Sequence, residues 1–376
     1  MQKPKLSKFS IYDSINLSLI IFIDNFKITN NYLKYMLRLP PFEYHAPSSI
    51  AEAVALKAEH GDSAMYSAGG TDLFPNMKRR QFTPQNLIGL ADLEELHTIS
   101  AENSANGLLI GSGVSLSEVA QHAGIRRRFP ALAAAAALVS APQLRNMGTI
   151  GGNLCLDTRC NYYNQTFQWR KALGFCLKKE GDTCWVARSS PKCLAVSSSD
   201  CAPVVLALNA EFNLVGQEGQ RTVPATEFYK NDGADFLNKT PDELLVSIRL
   251  PEHEGWKMNY KKLRRRDSID FPILGVATAL RLENSGRSGA PGSTGSTLDC
   301  AEIRIVLGAV ASAPLRAYEA EKVLVGERLT TERIEAAAQL AAKLAKPMDN
   351  TDMTLGFRKK MVTHFVTEAL KEALNN

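Results

Sequence analysis

The sequence predicts an α+β protein built from three compact units. Its 376 residues are 45% hydrophobic, which is enough to bury more than one core. Short apolar runs bounded by glycine and proline predict strands along most of the chain, and stretches of helical periodicity lie between and after them. The predicted strands are followed by helices late in the chain, and this order is typical of α+β folds.

Residues 1–35 are predicted to be a disordered leader outside the fold. Their apolar run, Leu17 to Ile23, is far shorter than the roughly 20 residues that cross a bilayer. Asp24 and Lys27 follow it, where a signal peptide would have a small-residue cleavage site. The sequence therefore predicts a cytoplasmic protein without a membrane partner.

The first unit, residues 36–98, is predicted to combine a helix with two strands. Apolar residues recur at helical spacing in Ser48–His60, which begins with serines suited to a helix cap. A short strand at Ser63–Ser67 leads into the glycine-rich turn Ala68–Leu73, and Asn86–Leu90 is the next strand.

The second unit, residues 99–254, contains strands, a buried helix and a second glycine-rich turn. Leu108–Gly113 is typical of a strand and turn, and a helix is expected from Ser115 to the early 120s. An alanine-rich helix at Ala131–Ser140 precedes the second turn at Asn146–Leu154. Further strands are predicted at Val204–Leu208, Glu211–Val215 and Glu243–Leu250.

The third unit, residues 255–376, is predicted to be a sheet followed by helices. Its low-complexity segment Gly286–Thr297 is predicted to be a flexible hairpin tip. The predicted elements are strands at Lys257–Leu263, Gly275–Leu282 and Ala301–Gly308 and helices at Ala317–Val325 and Thr331–Leu344.

The two glycine-rich turns, Ala68–Leu73 and Asn146–Leu154, have the features that a dinucleotide pyrophosphate requires of a protein. Each combines glycines, which allow close backbone approach and free N–H groups, with a threonine hydroxyl at the start of a predicted helix. Neither has the spacing of a Rossmann fingerprint or of a P-loop. NAD on a doubly wound sheet and a nucleoside triphosphatase are therefore disfavoured.

In order and spacing, these two turns and the later run Ser198-Ser199-Asp200 resemble the FAD domain of the xanthine dehydrogenase and carbon monoxide dehydrogenase family of molybdenum hydroxylases. The resemblance extends from Met36 to the C-terminus. It implies a two-part FAD-binding domain, residues 36–254, followed by an α+β C-terminal domain, residues 255–376.

The resemblance also assigns residues to a FAD site. The two turns would hold the pyrophosphate from opposite sides, and Asp200 would lie near the flavin or its ribityl arm. Leu245 would pack on the ring system. Lys261 would lie close to the ring, where its charge favours a reduced, anionic flavin, and the alternative is a solvated surface lysine. The implied set is Ser67, Ala68, Gly69, Gly70, Thr71, Asp72, Leu73, Gly148, Thr149, Gly152, Asn153, Ser199, Asp200, Leu245 and Lys261.

Six of the seven cysteines lie between Cys155 and Cys201. Disulfides are disfavoured because nothing convincingly directs the chain to secretion, and the close Cys-x-x-Cys pairs of zinc sites are absent. Aromatic residues are frequent in the same segment, and Lys178, Lys179 and Arg188 could offset the negative charge of an iron-sulfur cluster.

The segment 155–195 lies where most of this family has only a short connection. It resembles the extra loop in beta subunits of the 4-hydroxybenzoyl-CoA reductase type, which carries a [4Fe-4S] cluster. The ligands carried over by position are Cys160, Cys176, Cys184 and Cys193. Cys155, Cys201 and Cys300 are interpreted as core thiols, with Cys155 as the alternative to the first ligand.

No catalytic residue and no nucleic-acid partner are predicted. The six histidines form no ligand-like pair, and no Ser/His/Asp grouping indicates covalent hydrolysis. The net charge of +5 is mild because acidic and basic residues are interspersed. Basic runs such as Arg126–Arg128 and Arg264–Arg266 are interpreted as solvated faces, one of which could dock an acidic protein such as ferredoxin.

The resemblance implies an electron-transfer subunit whose substrate binds elsewhere. Its partners would be a molybdopterin-binding large subunit and a [2Fe-2S] small subunit. Reduced ferredoxin would supply electrons for reductive removal of the phenolic hydroxyl of 4-hydroxybenzoyl-CoA. Two alternatives remain open: a FAD subunit that passes electrons to NAD or quinone, and a zinc-stabilised assembly protein on the same fold.

Overall fold

The computed structural model describes residues 37–101, 107–284 and 298–375. These residues form three β-sheets surrounded by helices, and the predicted α+β class is confirmed. The predicted leader at 1–35 and the predicted hairpin tip at 286–297 lie outside the described residues. Within the described ranges, no helix has both the length and the apolar character that a membrane span needs.

The first subdomain is a three-stranded parallel sheet in the order β1-β3-β2. Its main helix begins where the sequence predicts, because the Ser49 side chain accepts a hydrogen bond from the backbone N–H of Glu52. All four residues of the last strand are buried, so it is the centre of this small sheet. The elements are β1 (Glu43–His45), α1 (Ile50–His60), β2 (Ala64–Ser67), α2 (Leu73–Lys78) and β3 (Asn86–Gly89).

The second subdomain is a five-stranded antiparallel sheet in the order β4-β5-β8-β6-β7, covered by helices. The strand predicted at Val204–Leu208 is wrong, because Cys201–Ala207 forms a helix in which every residue is buried. A run that is apolar on all sides has no alternation to distinguish a strand from a buried helix. The strands are β4 (Ile99–Ala101), β5 (Leu108–Gly111), β6 (Glu211–Gly216), β7 (Gly219–Pro224) and β8 (Leu244–Leu250). The helices are α3 (Leu116–Gln121), α4 (Ala123–Arg128), α5 (Pro130–Ala137), α6 (Pro142–Arg145), α7 (Ile150–Leu154), α8 (Phe167–Ala172), α9 (Cys201–Ala207) and α10 (Ala225–Phe228).

The C-terminal domain is a four-stranded antiparallel sheet in the order β12-β11-β10-β9 with helices after it. The helix predicted at Thr331–Leu344 is confirmed at both ends. A further helix of 21 residues at the C-terminus was not predicted. The elements are β9 (Trp256–Leu263), β10 (Leu274–Asn284), β11 (Leu298–Gly308), β12 (Leu315–Arg316), α11 (Tyr318–Lys322), α12 (Thr331–Leu344) and α13 (Leu355–Asn375).

The C-terminal sheet is buried on both faces. Met258 and Tyr260 of β9 belong to the core of the second subdomain, together with Ala277 and Ala279 of β10. The alternate residues of β10, such as Val276, belong to a separate core formed with α12 and α13. Because side chains alternate along a strand, one sheet joins the two domains into a continuous packed body.

Candidate functional site

A cavity of about 660 Å³ lies between the two N-terminal subdomains. This volume is within the range of about 300 to 1,000 Å³ that ligand sites occupy. Its walls are the turn that follows β2, the turn that opens α7, and part of β8. All the residues predicted from the resemblance to contact FAD line this cavity except Ser199, Asp200 and Lys261.

The two glycine-rich turns are packed directly against each other. A Cβ atom on Gly69 would lie only 1.7 Å from the backbone oxygen of Met147, and one on Gly148 would lie 3.3 Å from Oγ1 of Thr71. Only a residue without a side chain allows this approach at Gly69. The turns therefore form one continuous wall, although about 75 residues separate them in the sequence.

The first turn presents unpaired backbone donors. The N–H groups of Gly69, Gly70 and Thr71 donate no hydrogen bond to an acceptor within the described residues. Gly70 has a φ of +67°, a left-handed conformation that brings neighbouring amides to one side. In the second turn, the Thr149 hydroxyl accepts a hydrogen bond of 3.1 Å from the N–H of Gly152. The arrangement is chemically suited to an anionic ligand such as a pyrophosphate.

Ser199 lies behind the cavity and positions Asn153. Its hydroxyl donates to Oδ1 of Asn153 at 2.8 Å, and the backbone N–H of Cys201 donates to the same oxygen at 3.2 Å. The side-chain NH₂ is therefore the group that Asn153 offers to the cavity. The structure thus places Ser199 one layer away from any ligand that the cavity holds.

Asp200 is also buried behind the cavity, in an ion pair that joins the two domains. Its carboxylate accepts hydrogen bonds from the Tyr260 hydroxyl at 2.8 Å and from Nζ of Lys262 at 2.9 Å. Burial raises the pKa of Asp200 to about 6, and the opposing charge of Lys262 limits the rise. The ammonium group also donates to the backbone oxygens of Leu138 and Asp270, which satisfies it fully.

Lys261 faces away from the cavity. It pairs with Glu372 of α13, on the opposite face of β9 from Tyr260 and Lys262. The alternation of side chains along a strand makes the two neighbouring lysines point in opposite directions. The prediction that Lys261 lies close to the flavin ring is therefore not supported by its position.

Several cavity residues were missed by sequence reasoning. Lys57, Lys178, Lys179 and Lys239 line the cavity, together with the carboxylates of Asp62, Asp72, Asp157 and Glu243, so its charged groups are balanced in sign. The adjacent Lys178 and Lys179 were expected beside the cysteine cluster rather than in this cavity, and no motif in the sequence marks Lys57 or Lys239. The aromatic residue Phe271, from the loop after β9, also reaches the cavity.

Arg159 connects the cysteine segment to the first glycine-rich turn. Its guanidinium forms an ion pair with Asp72 and lies 3.7 Å from the centre of the Phe271 ring. Arg159 immediately precedes one predicted cluster ligand, whereas Asp72 lies in the predicted pyrophosphate turn. The cysteine segment is therefore fixed to the rim of the cavity.

The four cysteines predicted as ligands converge on a second, narrow cavity of about 10 Å³. It is lined by Cys160, Cys176, Cys184 and Cys193 together with Tyr162, Tyr163 and Trp185. All four thiols are free. No three His, Cys, Asp or Glu side chains in the described ranges are close enough together to hold one metal ion.

One backbone N–H group donates a hydrogen bond to a sulfur atom of this set, Sγ of Cys193. Burial raises the pKa of the Cys193 thiol to about 11, and the N–H of Ala195, at 3.4 Å from its Sγ, and the charge of Lys178 oppose the rise. Burial also raises the pKa of Cys160, against the N–H groups of Tyr162 and Tyr163. Donors aimed at sulfur stabilise thiolate, the form that binds metal.

The C-terminal domain holds the cysteine segment in place. Asn350, which is fully buried, accepts a hydrogen bond of 2.9 Å from the N–H of Asn161 and donates through its side chain to the oxygen of Leu194. These contacts lie beside the first and the last of the four cysteines. The two ends of the segment are therefore fixed by a residue far along the chain.

Tyr163 and Lys178 line both cavities. The Lys178 side chain is only 6% exposed and forms an ion pair of 2.6 Å with Asp157. Its ammonium also donates to the backbone oxygen of Gly233 at 2.9 Å and lies 4.7 Å from the centre of the Tyr163 ring. A fixed cation and an aromatic ring thus separate the cysteine cavity from the large cavity.

Two family models together match most of the chain. Residues 40–253 match the FAD binding domain in molybdopterin dehydrogenase, and residues 258–373 match the CO dehydrogenase flavoprotein C-terminal domain. The boundary between them, residues 254–257, includes the start of β9.

Named relatives agree with these matches. The carbon monoxide dehydrogenase medium chain of Hydrogenophaga pseudoflava is 31% identical over 337 residues, which are 89% of this chain and 97% of that protein. The aldehyde oxidoreductase FAD-binding subunit of Escherichia coli K12 is 33% identical over 341 residues, 88% of this chain and 99% of that protein. A solved structure of carbon monoxide dehydrogenase from Hydrogenophaga pseudoflava matches with a TM-score of 0.71 at 30% identity, covering 90% of this chain and 99% of that one.

The buried ion pair gives a stability prediction. Asp200→Ala should lower the free energy of unfolding by about 3 to 5 kcal/mol, because it leaves the buried ammonium of Lys262 without its counter-charge. The double variant Asp200→Asn/Lys262→Met should recover much of that loss. Chemical denaturation measures both. Removing the exposed pair Glu319 and Lys322 should change stability by less than about 1 kcal/mol. Equal losses for the two pairs would contradict the prediction.

Proposed function

Because this chain belongs to the FAD-binding medium subunits of the molybdenum hydroxylase family of oxidoreductases, we propose that it is an electron-transfer subunit with two redox groups. FAD would occupy the large cavity, and a [4Fe-4S] cluster would occupy the cysteine cavity. The observation that carries the proposal is the convergence of four free cysteines on one cavity that shares a wall with the other.

The large cavity suits FAD in its volume and in its backbone hydrogen-bond donors. The free amides of Gly69, Gly70 and Thr71 would hold the pyrophosphate from one side, and Thr149 with Asn153 would hold it from the other. Leu245 offers an apolar surface for the ring system. Bound flavin stores and releases electrons, whereas these residues bind it and fix its orientation.

The cysteine cavity suits an iron-sulfur cluster in its donor chemistry. Four thiols, a partly aromatic wall and a backbone N–H group that donates to sulfur are the surroundings that such clusters have. The cavity of about 10 Å³ has room for roughly one water molecule, so the cysteine side chains must rotate apart to hold a cluster. Their position in an irregular segment rather than in a strand allows that rotation.

The proposed complex is of the 4-hydroxybenzoyl-CoA reductase type. A molybdopterin-binding large subunit and a [2Fe-2S] small subunit would be the permanent partners, and reduced ferredoxin would be the electron donor. The names of the relatives, a medium chain and a FAD-binding subunit, support a role within a larger assembly. The chain's own cavities hold no grouping for hydrolytic or acyl chemistry among the described residues, which is consistent with a substrate site on another subunit.

A second candidate function is a flavin subunit that passes electrons outward to NAD or quinone. The similarity to subunits named for carbon monoxide dehydrogenase and aldehyde oxidoreductase favours it. Iron and acid-labile sulfide analysis of the anaerobically purified chain separates the two candidates. Stoichiometric iron supports the first, and an iron-free yellow protein supports the second.

The substrate assignment has a direct test in the assembled complex. Purified with its partners, the complex should convert 4-hydroxybenzoyl-CoA to benzoyl-CoA with reduced ferredoxin. The isolated chain should show no turnover, because the substrate site belongs to another subunit. Liquid chromatography of the CoA esters measures both. Turnover by the chain alone, or a complex inactive on this ester, would overturn the assignment.

The FAD site gives a prediction with a matched control. Gly70→Ala should weaken FAD binding at least about tenfold, or ~1.4 kcal/mol, because the new Cβ would lie 2.3 Å from the Phe74 ring and displace the turn. Gly326 has a similar φ of +75°, and a Cβ added there would meet no atom within 4 Å, so Gly326→Ala imposes the backbone strain alone. Flavin absorbance after gel filtration reports the bound fraction. Equal FAD retention in the two variants would contradict the assignment.

The cluster site predicts which thiols are needed for iron. Single substitution by serine at Cys160, Cys176, Cys184 or Cys193 should remove most of the iron while FAD stays bound, because serine is a poor ligand for iron-sulfur clusters. Cys300, fully buried in the C-terminal domain, provides the control, and Cys300→Ser should keep the iron. Iron and flavin counts on each variant measure the outcome. Loss of iron in Cys155→Ser with retention in Cys160→Ser would move the first ligand to Cys155.

A further inference from the structure

The wall between the two cavities contains one buried charge pair. Lys178 lines both cavities, and its partner Asp157 lines the large one. The Lys178 and Asp157 side chains are 6% and 14% exposed. Because both are shielded from solvent, their charges are screened much less than those of surface residues.

The ammonium group of Lys178 is held rigidly. It donates to Oδ1 of Asp157 at 2.6 Å, to the backbone oxygen of Thr158 at 3.1 Å and to that of Gly233 at 2.9 Å. The rings of Tyr163 and Phe236 lie 4.7 and 5.4 Å away. A charge with so many partners stays in one place, so its electrostatic effect on the cysteine cavity is constant.

The ion pair is oriented across the wall between the cavities. Its positive member, Lys178, lines the cysteine cavity, whereas its negative member, Asp157, lines only the large cavity. A positive charge beside a cluster stabilises the reduced, more negative state, and a negative charge has the opposite effect. The two members of the pair therefore act on the cluster with opposite signs.

We propose that the Lys178–Asp157 pair, placed in the wall between the cavities, sets the reduction potential of the iron-sulfur cluster relative to the flavin. The inference rests on the proposed function, since it requires a cluster in the cysteine cavity. Neither side chain ligates iron. Both act on the redox groups through their charges.

The two members can be tested separately because their removal has opposite consequences. Lys178→Met removes the positive charge and leaves that of Asp157, so the midpoint potential of the cluster should become more negative. Asp157→Asn removes the opposing charge with little change in shape, so the potential should become more positive. Each shift should change the ratio of reduced to oxidised cluster on the order of tenfold at fixed ambient potential, which is about 59 mV for one electron.

The experiment is an anaerobic redox titration of the full-length chain, followed by EPR of the reduced cluster. Arg188→Met is the matched control, because it removes a cation from the same cysteine segment at an exposed position over Trp185, where solvent screens the charge. Its potential should stay close to that of the wild type. Lys178→Arg should preserve the charge and the potential.

Opposite shifts in the Lys178→Met and Asp157→Asn variants, with little change in Arg188→Met, support the inference. Unchanged potentials, or shifts of both variants in one direction, overturn it. If Lys178→Met loses its iron, the Asp157→Asn variant decides alone, and an unmoved potential there overturns the inference. Iron and sulfide counts on the wild type separate failure of the proposed function from failure of this inference. An iron-free wild type refutes the cluster itself. An intact cluster whose potential does not change in the variants refutes only the role of the Lys178–Asp157 pair.

Discussion

The close contact between two backbone turns is the constraint on which the rest of the structure depends. Gly69 lies so near the backbone oxygen of Met147 that no side-chain carbon fits between them. This contact joins the small parallel sheet to the five-stranded sheet and creates the cavity between them. The amides of Gly69 and Gly70 donate to no acceptor within the described residues, although the Met147 oxygen lies beside Gly69, so they remain available to a ligand.

The elements that were predictable from the sequence are those whose signal is local. The glycine-rich turns were found because their glycines and threonines recur in one order and spacing along the chain, and the helix at Thr331–Leu344 was found because its polar and apolar residues alternate with helical period. The C-terminal helix carries the same signal in the spacing of Val362, Val366 and Ala369, all fully buried, and could have been found. The fully apolar helix Cys201–Ala207 could not, since burial on every side removes the period.

The features that the sequence did not reveal depend on three-dimensional placement. Lys261 and Lys262 are neighbours, yet one reaches a surface carboxylate on α13 and the other a buried one, and only the pairing of β9 decides which. Ser199 and Asp200 belong to the motif that carries the resemblance, but they support the cavity from behind. A sequence motif identifies residues that a site needs. It does not show which of them contact the ligand and which only support the contacting residues.

The contacts of Asn350 have a consequence for the order in which the protein is made. The cysteine segment, residues 155–195, is fixed at both ends by hydrogen bonds to Asn350, which lies 156 positions beyond Leu194, the nearer of the two contacts. A ribosome adding about 5 to 20 residues per second needs many seconds to reach that point. During that interval the four thiols are already synthesised but lack the support of Asn350. The hydrogen bonds that hold the two ends of the segment therefore form only after the C-terminal domain has been translated.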